Sequence, residues 1–264
     1  MLHYPVTLAE SALLLLVAVI AGALNSIAGG GSFISFPTLI FLGLPSVNAN
    51  ATSTLGLWPG TMASVGAYRK AMSAALIKRI VPLVIITLAG SLVGARLLLK
   101  THVTTFDRLV PWLLLQGTVL FTFRARINAW VAQRRQQDGP SHWQVIGVTV
   151  AQAALGIYTG YFGAGVGIVM LPLLSVMGIE NIHTMSGVRM FLVTCGNTVA
   201  IAVFIFARAI FWPQALLMML GAAAGGYAGA YFAQKMQQRT VSYLVIAIGA
   251  AMTTYFFWKA YLRG

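Results

Sequence analysis

Five apolar runs recur along the chain: Ala12–Ala28, Ile80–Leu99, Leu109–Phe123, Ala215–Ala233 and Val241–Trp258. Spanning a bilayer takes about 20 residues of helix. Runs of this length leave few folds open, because backbone polar groups inside lipid must be paired within the segment. A transmembrane barrel shows short alternating segments instead. Only 8% of the residues are charged, whereas a soluble domain carries about 25%. The expected class is an all-α polytopic membrane protein in a lipid bilayer.

The formal charge of +13 follows from 17 Lys and Arg against 4 Asp and Glu. In a membrane protein such an excess sits in loops and sets orientation. The basic residues cluster at Arg69, Lys70, Lys78 and Arg79, and at Arg124, Arg126, Arg134 and Arg135. Both clusters are expected on the cytoplasmic face. No aromatic-interleaved basic motif for nucleic acid is present. The single cysteine, Cys195, excludes an intramolecular disulfide and a multi-cysteine metal site. The N-terminus lacks a basic region ahead of its apolar run and carries Glu10, so it reads as a retained first helix.

The chain matches itself at an offset of 135 residues without a gap. Gly30 falls on Gly165, Pro37 on Pro172, Leu39 on Leu174 and Gly43 on Gly178. Further on, Gly90 falls on Gly225, Gly94 on Gly229, Lys100 on Lys235 and Thr105 on Thr240. The expectation is an internal duplication: an N-terminal repeat over 1–123, a basic cytoplasmic linker over 124–142 and a C-terminal repeat over 143–264. Duplicated halves are a common build of secondary transporters.

Each half contains a short apolar segment, Ile34–Gly43 and Ile168–Gly178. Ten residues of helix reach about 15 Å, half a bilayer. These segments read as half-helices or re-entrant pieces, giving roughly eight and up to ten membrane segments. If long and short pieces share one crossing, the halves run parallel with four crossings each. If both cross, the halves are inverted with five each. The first arrangement puts eleven basic residues inside and four outside, the second ten and five. The count leans to four plus four.

Helix breakers mark two places. "NSIAGGGSFISFPTL" (Asn25–Leu39) and "GYFGAGVGIVMLPLL" (Gly160–Leu174) each join a long helix to a short one. Irregular backbone at membrane depth is tolerated where protein or a watery cavity satisfies it. A helix restarting there offers free N–H groups and the positive end of its dipole to an anion. Asn25, Gly29, Gly30, Gly31 and Ser32 in the first stretch, and Gly163, Gly165 and Gly167 in the second, are the candidate lining of a central anion site. The same glycines also serve close helix packing, which is the expected role of Gly90, Gly94, Gly225 and Gly229.

The third segments carry the polar residues. Asn50, Thr52, Ser53 and Thr54 supply neutral donors in the first half. In the second, Arg189 falls on Thr54 at the same offset and lies within an apolar run, followed by Asn197. A charge at a helix centre costs about 2.5–3.5 kcal/mol on insertion scales and marks a ligand or partner. Arg189 sits near its segment's start, so snorkelling is the other reading. Asn197 suits either substrate or a helix bridge.

Intramembrane acids of the kind that relay protons are absent from the sequence, so the coupling ion, proton or Na⁺, stays open. The four histidines, His3, His102, His142 and His183, are scattered, which leaves an enzyme, a metal and a cofactor unsupported.

"NSIAGGGSFISFPTL", "NANATSTLGLWPGTMASVGAYRK", "GYFGAGVGIVMLPLL" and "TMSGVRMFLVTCGN" resemble the TauE/SafE family of sulfite and sulfonate transporters over nearly the whole chain. The family pattern often reads Thr-Ser-Lys where this chain has Gly187, Val188 and Arg189. The cation is kept, and the hydroxyls move to Thr184 and Ser186. The resemblance implies a bacterial inner-membrane exporter of a small organosulfur anion such as sulfite or sulfoacetate, with Ser186 added to the candidate site. A carrier of another small anion, a carboxylate for example, and a non-transporting membrane subunit are the alternatives. Oligomeric state is not legible.

Overall fold

The computed structural model describes residues 7–133, 141–179, 181–233 and 238–262. Among them it is helical throughout. The helices are α1 (Leu8–Ala28), α2 (Ser32–Phe41), α3 (Ser46–Tyr68), α4 (Ala74–Lys100) and α5 (Val103–Gln133), then α6 (His142–Tyr161), α7 (Val166–Val176), α8 (Ile182–Phe206), α9 (Trp212–Ala233) and α10 (Gln238–Phe257). A 3₁₀ turn (Arg69–Ala71) follows α3 and a π turn (Trp258–Leu262) follows α10. Among the described residues, four helical stretches are long and apolar enough to cross a membrane by themselves: Leu8–Ile27, Ala74–Lys100, His183–Phe206 and Tyr243–Leu262.

Helix starts are written into the sequence. Thr7 and Glu10 form a capping box on α1, and Ser141 and Gln144 form another on α6. Ser73 caps α4, and Asn181 caps α8 through its side-chain oxygen. The basic stretch expected to be linker from residue 124 begins as helix, because α5 continues to Gln133. Its Arg, Ala and Gln residues favour helix, and the first breaker is Gly139. Residues 134–140 of that stretch lie outside the described residues, as do His3, Glu180, Lys235 and Arg263.

Close approaches fix the relative directions. A methyl group added at Gly225 would lie 1.9 Å from Val19 O, and one at Gly221 2.6 Å from Leu15 O, so α1 and α9 run parallel with backbones in contact. Gly56 meets Met218 and Gly60 meets Ala222, so α3 also runs parallel to α9. The short α2 therefore returns between two helices that point the same way. The same pattern joins α4 to α6, where Gly94 leaves 1.9 Å to Ile157 O, and Gly90 leaves 2.9 Å to Ala153 O. Gly90, Gly94, Gly225 and Gly229 serve close packing as expected.

Two other pairs run antiparallel. Trp58 of α3 donates to Thr198 of α8, while Gly187 of α8 packs on Tyr68 and Met72 at the other end of α3. Trp112 of α5 donates to Tyr261 and stacks edge-on with Phe257, while Gly249 of α10 sits against Thr118.

The core is centred on the short helices. Phe36 of α2 packs against Phe162, Phe256 and Phe106, with ring centroids 5.4, 6.0 and 6.4 Å away. On the other side, Met170 and Leu174 of α7 are buried with Ile80, Leu83, Val188 and Leu192. Both short helices are thus held rigidly by apolar neighbours, which fixes where their N-termini point.

Candidate functional site

Helix α1 ends at Gly29, in the left-handed conformation (φ 79°, ψ 21°) that a side chain disfavours. Gly30 and Gly31 then turn the chain into α2. Gly31 leaves no space for a side chain, because a methyl group there would lie 2.3 Å from Ala21 O. Helix α6 ends at Phe162, and α7 restarts after Gly163 and Gly165, both at positive φ (73° and 76°). The Tyr158 hydroxyl donates to Ala164 O at 2.9 Å and braces this second break.

The two breaks meet. A methyl group on Gly29 would lie 3.7 Å from Gly167 Cα and 3.8 Å from Arg189 Nη1. One on Gly167 would lie 3.1 Å from Arg189 Cδ. The Arg189 side chain, projecting from α8 and only 2% exposed, therefore lies across both breaks. Its Nη2 donates to Ser26 O at 3.1 Å. That carbonyl belongs to the last turn of α1, where carbonyls lack partners within the helix and the dipole attracts a cation. The snorkelling expected as the alternative does not occur, since the guanidinium is buried between helices.

A small, partly open pocket surrounds this point. Asn25, Gly29, Ser32 and Thr54 line it from the first half of the chain. Gly163, Gly167, Arg189 and Asn197 line it from the second. Leu57, Phe162, Val166, Met190 and Val193 complete the wall. The polar lining is one permanent cation, two carboxamides and two hydroxyls, and no carboxylate is among the lining residues. Such a set donates hydrogen bonds and suits a small anion. Among the described residues, no three His, Cys, Asp or Glu side chains come together as a metal site.

The other expected site residues lie elsewhere. Gly30 is covered by Val245 and Phe121, and Gly31 packs on α1. Gly165 faces Gly117 and Phe121. The Asn50 carboxamide donates to Tyr161 O at 3.0 Å. Thr52 accepts from Phe211 N–H at 3.1 Å, at the start of α9. Ser53 shares a 2.7 Å hydrogen bond with Ser35 of α2. Ser186 is half-buried and does not line the pocket. The apolar wall residues carry no chemical signature in sequence: Leu57 and Val193 lie one turn along from Thr54 and Arg189, and Phe162 and Val166 flank the second break.

Known proteins extend these observations. The family described as sulfite exporter TauE/SafE matches residues 14–256. A probable membrane transporter protein of Haemophilus influenzae is 26% identical, covering 92% of this chain and 92% of the relative. Another from a Sinorhizobium species is 27% identical over 91% of this chain and 90% of the relative. The probable membrane transporter protein YfcA of Escherichia coli is 24% identical over 91% and 87%. No solved structure matches the chain. A match over residues 14–256, together with helices of membrane-spanning length, identifies this chain as a multi-pass membrane protein belonging to the TauE/SafE family.

Proposed function

We propose that the protein is a secondary carrier that exports a small organosulfur oxyanion, sulfite or a sulfonate such as sulfoacetate, across the bacterial inner membrane by alternating access. The observation that carries this reading is the buried Arg189 guanidinium laid across two facing helix breaks in one pocket. The N-termini of α2 and α7 bring the positive ends of two dipoles to the same place. Arg189 supplies the permanent charge, Asn25 and Asn197 supply amide donors, and Ser32 and Thr54 supply hydroxyls. The apolar wall lowers the local dielectric, which strengthens each of these contacts. The family description, sulfite exporter, supplies the substrate class.

The two halves are inverted repeats of five segments each. Under the 135-residue offset, α3 and α8 are counterparts, as are α5 and α10. Both pairs run antiparallel, which two-fold counterparts do when their axis lies in the membrane plane. The pairing of α1 with α9 has its counterpart in α6 with α4. Exposed aromatic residues gather at both ends, with Trp143 and Tyr243 at one and Trp212 and Tyr261 at the other, as interfacial belts do. This arrangement gives ten basic residues inside and five outside. It puts Arg208 on the face opposite Lys70, whereas four plus four puts both on the same face. Labelling Arg208→Cys and Lys70→Cys in a Cys195→Ala background from each side of the membrane separates the two.

Transport is tested in proteoliposomes with sulfite, sulfoacetate, sulfate and acetate. Sulfite or sulfoacetate flux above that of empty liposomes is the expected result. Acetate flux alone moves the substrate to carboxylates. No flux of any of the four favours a non-transporting subunit.

A further inference from the structure

Ser26 and Tyr161 occupy corresponding places in the last turns of α1 and α6, at the same 135-residue offset (161 − 26). Each carbonyl is held by a side chain from the third helix of the other half. Arg189 of α8 holds Ser26 O, and Asn50 of α3 holds Tyr161 O. The two ties are chemically unlike. Arg189 lines the pocket, whereas Asn50 is 3% exposed and does not. Thr54, one turn further along α3, does line it.

We propose that Asn50 is a positioning residue: its carboxamide fixes the α6–α7 break against α3, so that Gly163 and Gly167 face the bound anion beside Thr54, without itself touching the anion. This rests on reading the pocket as the anion site. The break needs an external strut because two of its residues, Gly163 and Gly165, are glycines at positive φ, the residue type with most freedom to lose. Tyr158 braces the break only to its own helix, through Ala164 O. Asn50 reaches it from the opposite half, and so sets the distance between the break and the α3 face that carries Thr54. An anion held by both halves depends on that distance, because hydrogen bonds weaken steeply with poor geometry.

The same helix supplies a matched control. Asn48, two residues earlier, donates its amide to Ala209 O at 2.8 Å, also across the halves, but at the α8–α9 connection and outside the pocket. Asn50→Ala and Asn48→Ala remove the same kind of bond from the same helix.

The experiment uses the full chain purified in detergent, with two readouts: amide hydrogen exchange over residues 158–167, and thermal stabilisation as a function of sulfite concentration. Asn50→Ala is expected to speed exchange at 162–167 and to raise the sulfite concentration for half-maximal stabilisation, each by about tenfold, the scale of one buried hydrogen bond lost. Asn48→Ala is expected to change neither, although its melting temperature falls comparably. Equal changes in both variants, or unchanged exchange at the break in Asn50→Ala, overturn the proposal. If the wild type shows no sulfite-dependent stabilisation, the anion reading fails on its own. The exchange readout then still decides whether Asn50 is the strut. If Asn50→Ala does not fold, Asn50→Ser, too short to reach Tyr161 O, takes its place with the same expected results.

Discussion

At the first break the side chain reaching the last turn of the broken helix is a permanent cation, Arg189; at the second it is a neutral amide, Asn50. The position matching Arg189 in the first half is Thr54, and the position matching Asn50 in the second is Met185. Both breaks turn on glycine at positive φ, and both are followed by a short helix with an internal proline, Pro37 and Pro172. The backbone plan is shared, and the charge is on one side only. On the proposed anion reading, two equivalent arginines would hold a dianion too tightly for release, and one arginine backed by neutral donors from both halves is the weaker, releasable arrangement.

The comparison breaks most visibly at Gly31, whose counterpart is Val166. Gly31→Val, which copies the second break into the first, drives a side chain to 2.3 Å from Ala21 O. The expected cost is above about 3 kcal/mol, the upper end for overpacking. Size-exclusion chromatography and the melting temperature would show loss of the folded species; an unchanged melting point would mean that the first break is looser than the 2.3 Å approach to Ala21 O implies. The next largest effect concerns the charge. Arg189→Thr makes the two third helices alike, and sulfite affinity should fall by about a hundredfold, the loss of a charge-assisted pair of hydrogen bonds. Thr54→Ala should lower it by no more than about fivefold, because the Thr54 hydroxyl donates to Asn50 O at 2.8 Å and must turn away from it to reach the anion. Titration calorimetry with sulfite gives both numbers, and equal losses would remove the asymmetry.

Smaller effects test the shared plan. Gly29→Ala and Gly163→Ala each place a side chain at positive φ, at about 1–2 kcal/mol of strain. Denaturation in mixed micelles should give similar losses for both. Gly29→Ala should weaken sulfite binding more, because its methyl group enters the space 3.8 Å from Arg189 Nη1, whereas a methyl group at Gly163 points back at Thr159 O, 3.1 Å away. Smallest is Tyr158→Phe, which removes the hydroxyl bond to Ala164 O and should cost about 1 kcal/mol without moving the first break.

Much of this was legible in the residues themselves. Glycine runs and prolines inside apolar stretches placed both breaks, and the charge of Arg189 inside such a run placed the cation. Asn25, Ser32, Thr54 and Asn197 reach the pocket because they share helix faces with those features. On α3 the sequence pattern alone does not say which polar residue faces the pocket. Asn50, Thr52, Ser53 and Thr54 are consecutive or nearly so, and successive residues on a helix point in different directions. Only one of those directions faces the pocket, and two of the neighbours that decide which one, α6 and α9, are far away in the chain. Crossing direction was illegible for a related reason: counts of eleven to four and ten to five differ by one residue, while the antiparallel run of α5 and α10 depends on contacts between Trp112 and Tyr261 that no local pattern announces.

The most direct test of the central claim is sulfite flux into proteoliposomes by the wild type, Arg189→Lys and Arg189→Gln, each verified as monodisperse. If the anion crosses where Arg189 spans the two breaks, Arg189→Gln falls to the level of empty liposomes. Arg189→Lys then lies between, because it keeps the charge and loses the planar fork. Flux through Arg189→Gln at the wild-type rate and half-saturation would place the path elsewhere and leave Arg189 as a tie between helices.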